Sequence, residues 1–440
     1  MNILSDKKIL FVILLCGLLV RFSLIFFINN PRLFNDADSV EYLAIAENMR
    51  LGHGFSWDGS EPYRPNSFRT PIYPGFLFLS RILSGSYESA LVTQSILVVL
   101  SAYFLFLIGK EYFSRKIALW STAIFLFVPF SLNVSVKFLT QSLFSFLLIL
   151  SVWGWLKFLK TGRSRYFILV SFILPALALT RPIAQYIILV FVLSLFYSAY
   201  TRQINLNLWG FLKKALMMTS IFILVLLPWL MRNYKTLGYF KLSSITPYQL
   251  YFYEVPDAYA LAKGISYHEA SLVLRGEIDD YSKISDFGDY MEFSSQNFLT
   301  DRNYYYMSQF PGYFAVSKAK NMIKFFLRDG IRYWYNDFNR SARSEINVKN
   351  LLIFKEKNLF PYLVALERIF LGILFLGMLI SAFFVFKESA SFKPVLLFLF
   401  FLLFYFSFLT GIMASAGFRF PVEPFFLLVG LNGIKRYAKR

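Results

Sequence analysis

One aspartate and four arginines have the residue types and surroundings for chemistry: Asp38, Arg69, Arg181, Arg232 and Arg419. A carboxylate can accept a proton from a reacting group. The planar, permanently charged guanidinium of arginine binds phosphate oxygens through paired hydrogen bonds. Each of the four arginines lies within four residues of a proline, which interrupts regular structure. The set therefore combines a proton acceptor with phosphate-binding groups at helix breaks.

Each of these residues also has an ordinary interpretation. A single arginine at the end of an apolar helix can extend to lipid phosphates without forming a site. Asp36 and Asp38 precede a short stripe of Tyr42, Ile45 and Met49, so either aspartate could cap a helix that lies along the membrane surface. Asp36 therefore competes with Asp38 as the reactive carboxylate.

The composition indicates the class of protein in which such a site lies. The 440 residues are 57% hydrophobic and only 16% charged, and the mean hydropathy is +0.53. A soluble domain is about 25% charged, so this chain lacks the polar surface of one. Cys16 is the one cysteine and His53 and His268 are the two histidines, which excludes an intramolecular disulfide and a histidine-rich metal cage. We predict an all-α polytopic membrane protein.

About ten apolar stretches approach the roughly 20 residues that a helix needs to cross a bilayer. The predicted spans are residues 9–28, 89–108, 117–136, 140–158, 166–180, 183–199, 214–231, 362–386, 394–413 and 418–434. With a cytoplasmic N-terminus, the short inner segments contain 18 of the 45 Lys and Arg residues but only three of the 26 acidic residues. The positive-inside rule thus places both termini in the cytoplasm, and the net charge of +19 needs no nucleic-acid partner to explain it.

Two segments on the predicted outer side are long enough to carry function. Residues 29–88 form the first outer loop within a unit of seven spans, 1–231, and we expect juxtamembrane helices in it. Residues 232–361 form a larger second loop with amphipathic stretches such as 311–326, and residues 362–440 contain the last three spans. All five charged residues named first fall in the outer loops or at outer ends of spans, where ionisable groups commonly mark a site.

Several motifs carry a resemblance when they are taken in order. The first outer loop contains Asp38-x-x-x-Tyr42, Gly52-x-Gly54 and Arg69-Thr-Pro-x-Tyr73-Pro74. Later motifs are Thr180-Arg181-Pro182, Pro228-Trp229-x-x-Arg232-Asn233 and Arg419-Phe-Pro421-x-x-Pro424. Together they resemble the GT-C glycosyltransferases, in particular the bacterial group similar to protein O-mannosyltransferases and lipid A aminoarabinose transferase.

The resemblance implies an inverting membrane enzyme that transfers a sugar from a polyprenyl-phosphate carrier to an acceptor hydroxyl outside the cytoplasm. It implies that Asp38 is the catalytic base, whereas the arginines at 69, 181, 232 and 419 are candidates for the donor phosphate. We expect a substrate pocket around Tyr42, Tyr73, Gln141, Asn233 and His53. The implied partners are the lipid-linked donor, a lipid, glycan or protein acceptor, and the bilayer, which we expect to be the bacterial inner (plasma) membrane.

One position departs from the family pattern. The family often has a second acid at the outer start of the fourth span, where this chain has Thr140-Gln141. Divalent cations such as Mg²⁺ and Ca²⁺ prefer carboxylate oxygens to an amide. We therefore predict no metal ligands and no firm cofactor, and we doubt a dependence on divalent metal.

Two other functions remain open. A flippase or transporter of a lipid-linked saccharide would also need arginines near lipid phosphate, but such proteins are commonly built from internal repeats, and none is visible. A polysaccharide polymerase or ligase with a large outer loop is chemically closer, although it need not share the Asp38-to-Tyr42 spacing.

Overall fold

The computed structural model of the chain describes residues 3–28, 34–204, 206–284, 291–338 and 359–438. These residues fold into helices and connecting segments, and no strand occurs among them. The α-helices, numbered in chain order, are α1 Ile3–Phe27, α2 Ala37–Leu51, α3 Ile72–Ser84, α4 Glu88–Tyr112, α5 Arg115–Phe127, α6 Pro129–Ser135, α7 Gln141–Thr161, α8 Ser164–Thr180, α9 Ile187–Tyr200, α10 Leu208–Leu237, α11 Ile245–Gln249, α12 Val255–Lys263, α13 Tyr267–Ile284, α14 Gln296–Gln309, α15 Pro311–Leu327, α16 Ile331–Phe338, α17 Phe360–Phe383, α18 Lys393–Thr410, α19 Ala416–Arg419 and α20 Glu423–Tyr437.

Seven helices in the described part of the chain are long and apolar enough to cross a membrane. They are Lys7–Phe27, Glu88–Tyr112, Gln141–Thr161, Pro182–Tyr200, Leu208–Leu237, Phe360–Phe383 and Lys393–Met413. Three of the predicted spans are not among these seven helices. Residues 117–136 form the pair α5 and α6, bent by 55°, while α8 has 17 residues and α20 has 15. The all-helical membrane fold is confirmed, but a count of about ten spans is not.

The bend between α5 and α6 has a clear cause. Pro129 lacks a backbone N–H and cannot continue the hydrogen-bond ladder of α5. At the break, the carbonyl of Leu126 accepts a hydrogen bond from Arg21 of α1 at 3.0 Å, and Ser131 Oγ accepts another at 2.8 Å. Arg21 is fully buried, so these contacts join the first span to the broken helix in the apolar core.

Helices α17 and α20 approach each other most closely where glycines meet. A side chain on Gly433 would collide with the carbonyl of Gly377, and one on Gly377 would collide with the carbonyl of Gly430. The two backbones can therefore touch only because these positions lack a Cβ atom.

The segment after α1 contains the predicted surface helix. Helix α2 buries Tyr42 and Ile45 on one face, as their spacing predicts. The helix ends at Gly52, whose φ of 85° lies in the left-handed region that favours glycine. The amphipathic stretch 311–326 likewise forms α15.

Candidate active site

A cavity of about 290 Å³ opens where α2, α7, α8 and the segments around α11 and α19 converge. Its lining includes five of the residues predicted from the sequence: Asp38, Tyr42, Arg69, Gln141 and Arg181. They come from the first outer loop, the start of α7 and the end of α8. We call this space the first chamber.

Helix α2 distinguishes the two candidate carboxylates. Asp36 is the N-cap of α2, because its Oδ1 accepts the backbone N–H of Ala37 and Ser39 closes a reciprocal capping box. Asp38 lies in the first turn, makes no capping bond, and keeps 54% of its side chain exposed. Asp36 therefore serves as the helix cap, whereas Asp38 lines the chamber.

Arg69 organises the acidic side of the chamber. Its guanidinium donates hydrogen bonds to Asp38 at 2.8 Å, to Glu41 at 2.6 Å and to the hydroxyl of Tyr42 at 3.1 Å. Burial would lower the pKa of Arg69, but the facing Tyr42, Asp38 and Glu41 raise it above its ordinary value. Arg69 therefore stays charged and holds Asp38 in place. The sequence did not single out Glu41, although it lies one helical turn from Asp38.

Arg181 has a different environment. Helix α8 ends at Thr180 because Pro182 follows, and Arg181 is extended at φ −146°. Its guanidinium lies over the rings of Phe418 at 4.9 Å and Phe144 at 5.7 Å. It makes no hydrogen bond or ion pair with any residue that the structure describes. Burial lowers the pKa of Arg181, with smaller opposing contributions from Tyr42 and Asp38. The chamber thus contains one cation without an acidic partner.

Gln141 is the first residue of α7 and faces the same chamber. Its Oε1 is buried and has no hydrogen-bond partner among the described residues. The donor set suits a divalent cation poorly, because Arg69 already occupies both nearby carboxylates and Gln141 offers a neutral amide. No group of three or more His, Cys, Asp and Glu in the described ranges could hold a metal ion.

Three predicted pocket residues lie outside the lining of the chamber. The buried Tyr73 packs edge-on against Tyr42 at 4.9 Å and donates to Gln94 at 2.6 Å. His53 stacks on Tyr63 at 4.0 Å. Asn233 donates to the carbonyl of Lys241 at 2.8 Å. We correct their placement: none of the three lines the chamber.

Two predicted phosphate ligands also lie elsewhere. Arg232 donates to the carbonyl of Asn66 at 2.8 Å and stacks on Trp229 at 4.9 Å, so it fastens the first outer loop to α10. Arg419 is completely buried and donates to the carbonyls at the end of α15, those of Phe325, Phe326 and Arg328. Neither guanidinium lines the chamber, which leaves Arg181 and Arg69 as its arginines.

The contacts of Arg232 predict an effect on stability. We expect Arg232→Ala to lower the free energy of unfolding by about 1–3 kcal/mol, because it leaves the buried carbonyl of Asn66 without its charged donor. Thermal unfolding in detergent measures this, with Lys235→Ala, an exposed residue of the same helix, as the control. A variant with wild-type stability but a much higher KM for the donor would show that Arg232 binds the donor phosphate.

Residues of the predicted second outer loop line the chamber, which sequence patterns did not indicate. Tyr248, Gln249 and Tyr253 line it from a short stretch that contains a π-helical turn, Leu250–Glu254. Such turns are rare and frequently occur at functional sites. Phe418, just before Arg419, also lines the chamber.

The helical fold of the chain is similar to that of solved GT-C membrane enzymes. An apo structure of the oligosaccharyltransferase of Archaeoglobus fulgidus matches it with a TM-score of 0.52 at 14% identity, over 98% of this chain and 52% of that one. The same enzyme, AglB, bound to an inhibitory peptide and a dolichol-phosphate, matches at 0.52 and 13% over the same shares. The chain thus spans about half the length of these oligosaccharyltransferases.

Residues 70–231 match the family described as dolichyl-phosphate-mannose-protein mannosyltransferase, a stretch that includes Arg181 and begins directly after Arg69. The resemblance predicted from the motifs is therefore confirmed. ArnT from Cupriavidus metallidurans bound to undecaprenyl phosphate is similar at 10% identity over 97% of this chain and 78% of that one, with a TM-score of 0.43. No curated protein sequence matches the chain.

Proposed function

We propose that the chain is an inverting glycosyltransferase that transfers a sugar from a polyprenyl-phosphate donor to an acceptor hydroxyl. The observation that carries the proposal is that one chamber is lined by the exposed Asp38 carboxylate and by the guanidinium of Arg181, which has no hydrogen-bond or ion-pair partner among the described residues. The A. fulgidus enzyme with the same fold has been solved with a dolichol-phosphate, which supports a lipid-linked donor.

Asp38 would serve as the proton acceptor. The acceptor hydroxyl attacks the anomeric carbon while the bond from that carbon to the phosphate oxygen breaks, and the proton passes to Asp38. Arg69 orients the carboxylate through its 2.8 Å hydrogen bond, and Glu41 shares that guanidinium. The other oxygen of Asp38 thus stays available for the incoming hydroxyl.

Arg181 would stabilise the leaving group. The bond electrons stay on the phosphate, so negative charge grows there as the sugar departs. A preorganised guanidinium flanked by the rings of Phe144 and Phe418 stabilises such charge more strongly than bulk solvent does. Since a polyprenyl phosphate is already a weak base, the step needs no separate general acid, and the chamber contains no histidine.

We also propose that the chamber opens on the extracytoplasmic side of the bacterial inner membrane, with both termini in the cytoplasm. The charge asymmetry of the connecting segments supports this orientation. The polyprenyl tail would then lie against the apolar spans while its phosphate reaches Arg181. The sugar and its acceptor would belong to cell-envelope glycan, lipid or protein glycosylation.

Purified protein in detergent, incubated with polyprenyl-phosphate hexoses and pentoses, tests the proposal. We expect release of free polyprenyl phosphate from at least one donor, slowly to water and faster to a suitable hydroxyl. A flippase would leave every donor chemically intact. Intact donors with all sugars tested would therefore contradict the proposed transferase.

The donor set around Asp38 gives a prediction about metal. We expect activity to survive EDTA, because Arg69 supplies the positive charge beside both carboxylates. The measurement is polyprenyl phosphate release before and after chelation. Loss of activity with EDTA, restored by Mg²⁺ or Mn²⁺, would show that a divalent ion takes part.

A further inference from the structure

A second cavity, of about 260 Å³, adjoins the first. We call it the second chamber. The two chambers share Asp38, Gln141 and Phe418 in their linings. The reactive carboxylate therefore stands between two spaces, and the mechanism described so far uses only one of them.

The walls of the second chamber come from other parts of the chain. Helix α6 and the residues after it contribute Asn133 and Lys137, α16 contributes Tyr333, and the segment before α20 contributes Ser415 and Gly417. Hydrogen-bonding groups from three separate parts of the chain thus line the same chamber as Asp38. Aromatic rings of Phe130, Tyr333 and Phe418 fill the spaces between these groups.

The linings of the two chambers differ in their balance of charged residues. Lys137 is the one cation of the second chamber's lining and is only 3% exposed, because Asp337 binds its Nζ at 2.8 Å. The carboxylate of Asp36 lies 3.9 Å from the same Nζ and stays 42% exposed, and Asp38 is 54% exposed. Acidic residues therefore outnumber the one cation in the lining of the second chamber, whereas Asp38 and Glu41 in the lining of the first are matched by Arg69 and Arg181.

We infer that the second chamber binds the acceptor, and that the acceptor end is a neutral or amino-bearing saccharide. The inference rests on the proposed function. The acceptor oxygen reaches the anomeric carbon from this side, its proton passes to Asp38, and the polyprenyl phosphate departs into the first chamber with the bond electrons. Attack and departure on opposite sides of the carbon give inversion.

Three properties favour a saccharide. The exposed Asp36 and Asp38 accept hydrogen bonds from hydroxyl or ammonium groups but repel a phosphate group at close range. The volume of about 260 Å³ lies near the lower end of the roughly 300–1,000 Å³ of common ligand pockets, which suits a ligand end as small as one sugar ring. Side chains that combine polar groups with aromatic faces match the hydroxyls and the apolar C–H face of a sugar.

Gly417 allows the chamber to be filled selectively. A Cβ atom at this position would meet Phe130, Gln141 Nε2 and Ser415 Oγ at 3.4–3.6 Å, which is ordinary contact. All three residues line the second chamber, and of these only Gln141 also lines the first. A larger side chain at 417 is therefore directed into the second chamber. Gly312, where added atoms meet nothing within 4 Å, provides the matched control.

The experiment measures two reactions of the purified full chain with one polyprenyl-phosphate sugar. Hydrolysis without acceptor reports donor use, and transfer reports acceptor use. The acceptor probes are a methyl glycoside, the same glycoside carrying a 6-phosphate, and a serine-containing peptide with blocked ends. We expect the methyl glycoside to be the best acceptor. We expect Gly417→Leu to reduce its transfer at least about tenfold while hydrolysis stays within about twofold of wild type.

The outcomes separate the two proposals. If the wild type neither hydrolyses nor transfers any donor, the proposed function fails. If it is active but Gly417→Leu leaves transfer unchanged, or reduces hydrolysis equally while Gly312→Leu does not, the acceptor assignment is wrong. Preference for the phosphorylated glycoside or the peptide would overturn the saccharide. Gly417→Ala, which adds one methyl in ordinary contact, should give a smaller change in the same direction and covers a Leu variant that fails to fold.

Discussion

Replacing Asp38 by Asn should reduce sugar transfer by about 10²–10⁴-fold while the protein still folds and inserts. The amide can still accept the hydrogen bond of Arg69, and the side chain is 54% exposed, so packing is not disturbed. What is lost is the ability to take a proton from the acceptor hydroxyl. The measurement is kcat for polyprenyl phosphate release in the presence of acceptor, with unfolding temperature as the check on folding.

Two further variants interpret that result. Asp36→Asn preserves the N-cap of α2, since Asn and Asp cap equally well, and should keep kcat at a raised acceptor KM. Asp301→Asn, an exposed position on α14, controls for the loss of one acidic charge. An inactive Asp36→Asn protein beside an active Asp38→Asn protein would transfer the role of base to Asp36.

Local patterns predicted the elements on which the site rests. The stripe of Tyr42, Ile45 and Met49 indicated α2, because an amphipathic helix needs nothing but its own spacing and an apolar surface to lie on. Most long spans could be predicted for the same reason, since hydrophobic length alone decides whether a helix can cross a bilayer. The broken helix at Pro129 shows the limit of this argument, because the apolar run continues through the bend.

The roles of the arginines could not be predicted from local sequence. Arg181, Arg232 and Arg419 each lie near a proline at the end of an apolar run. Their differences arise from partners distant in sequence: Arg232 finds a carbonyl 166 residues away, and Arg419 finds carbonyls more than 90 residues away. Arg181 ends among aromatic rings and finds no acceptor among the described residues. Only the tertiary fold distinguishes an arginine that stabilises the structure from one that is available to bind substrate.

The contribution of the second outer segment shows a related limit. Tyr248 and Tyr253 resemble the many other tyrosines of residues 232–361, and no spacing marks them. They reach the first chamber because Ser67 and Phe68 of the first loop bond to Ser244 and Ser243, which fastens the two loops together. Glu41 was missed for a simpler reason: an acid one turn from another on an exposed helix usually faces solvent, and here Arg69 joins both.

Replacing Arg181 by Ala should weaken use of the lipid-linked donor by about 10²–10³-fold in kcat/KM. The guanidinium makes no hydrogen bond or ion pair with any described residue. Its removal therefore leaves no acidic group without its counter-ion and should cost little stability. The lost interaction is with the donor phosphate, and it strengthens as charge develops in the transition state. Donor hydrolysis and transfer should therefore fall together, whereas the acceptor KM should stay near the wild-type value.

Arg181→Lys distinguishes phosphate binding from simple charge. The ammonium keeps the charge but loses the planar fork that holds two phosphate oxygens, so we expect activity between those of wild type and Arg181→Ala. Arg163→Ala removes an exposed arginine at the opposite end of α8 and is the matched control, with no expected change. If Arg181→Ala kept wild-type donor kinetics while Arg69→Ala lost them, the phosphate would bind at Arg69, and Asp38 would have to act without the guanidinium that now orients it.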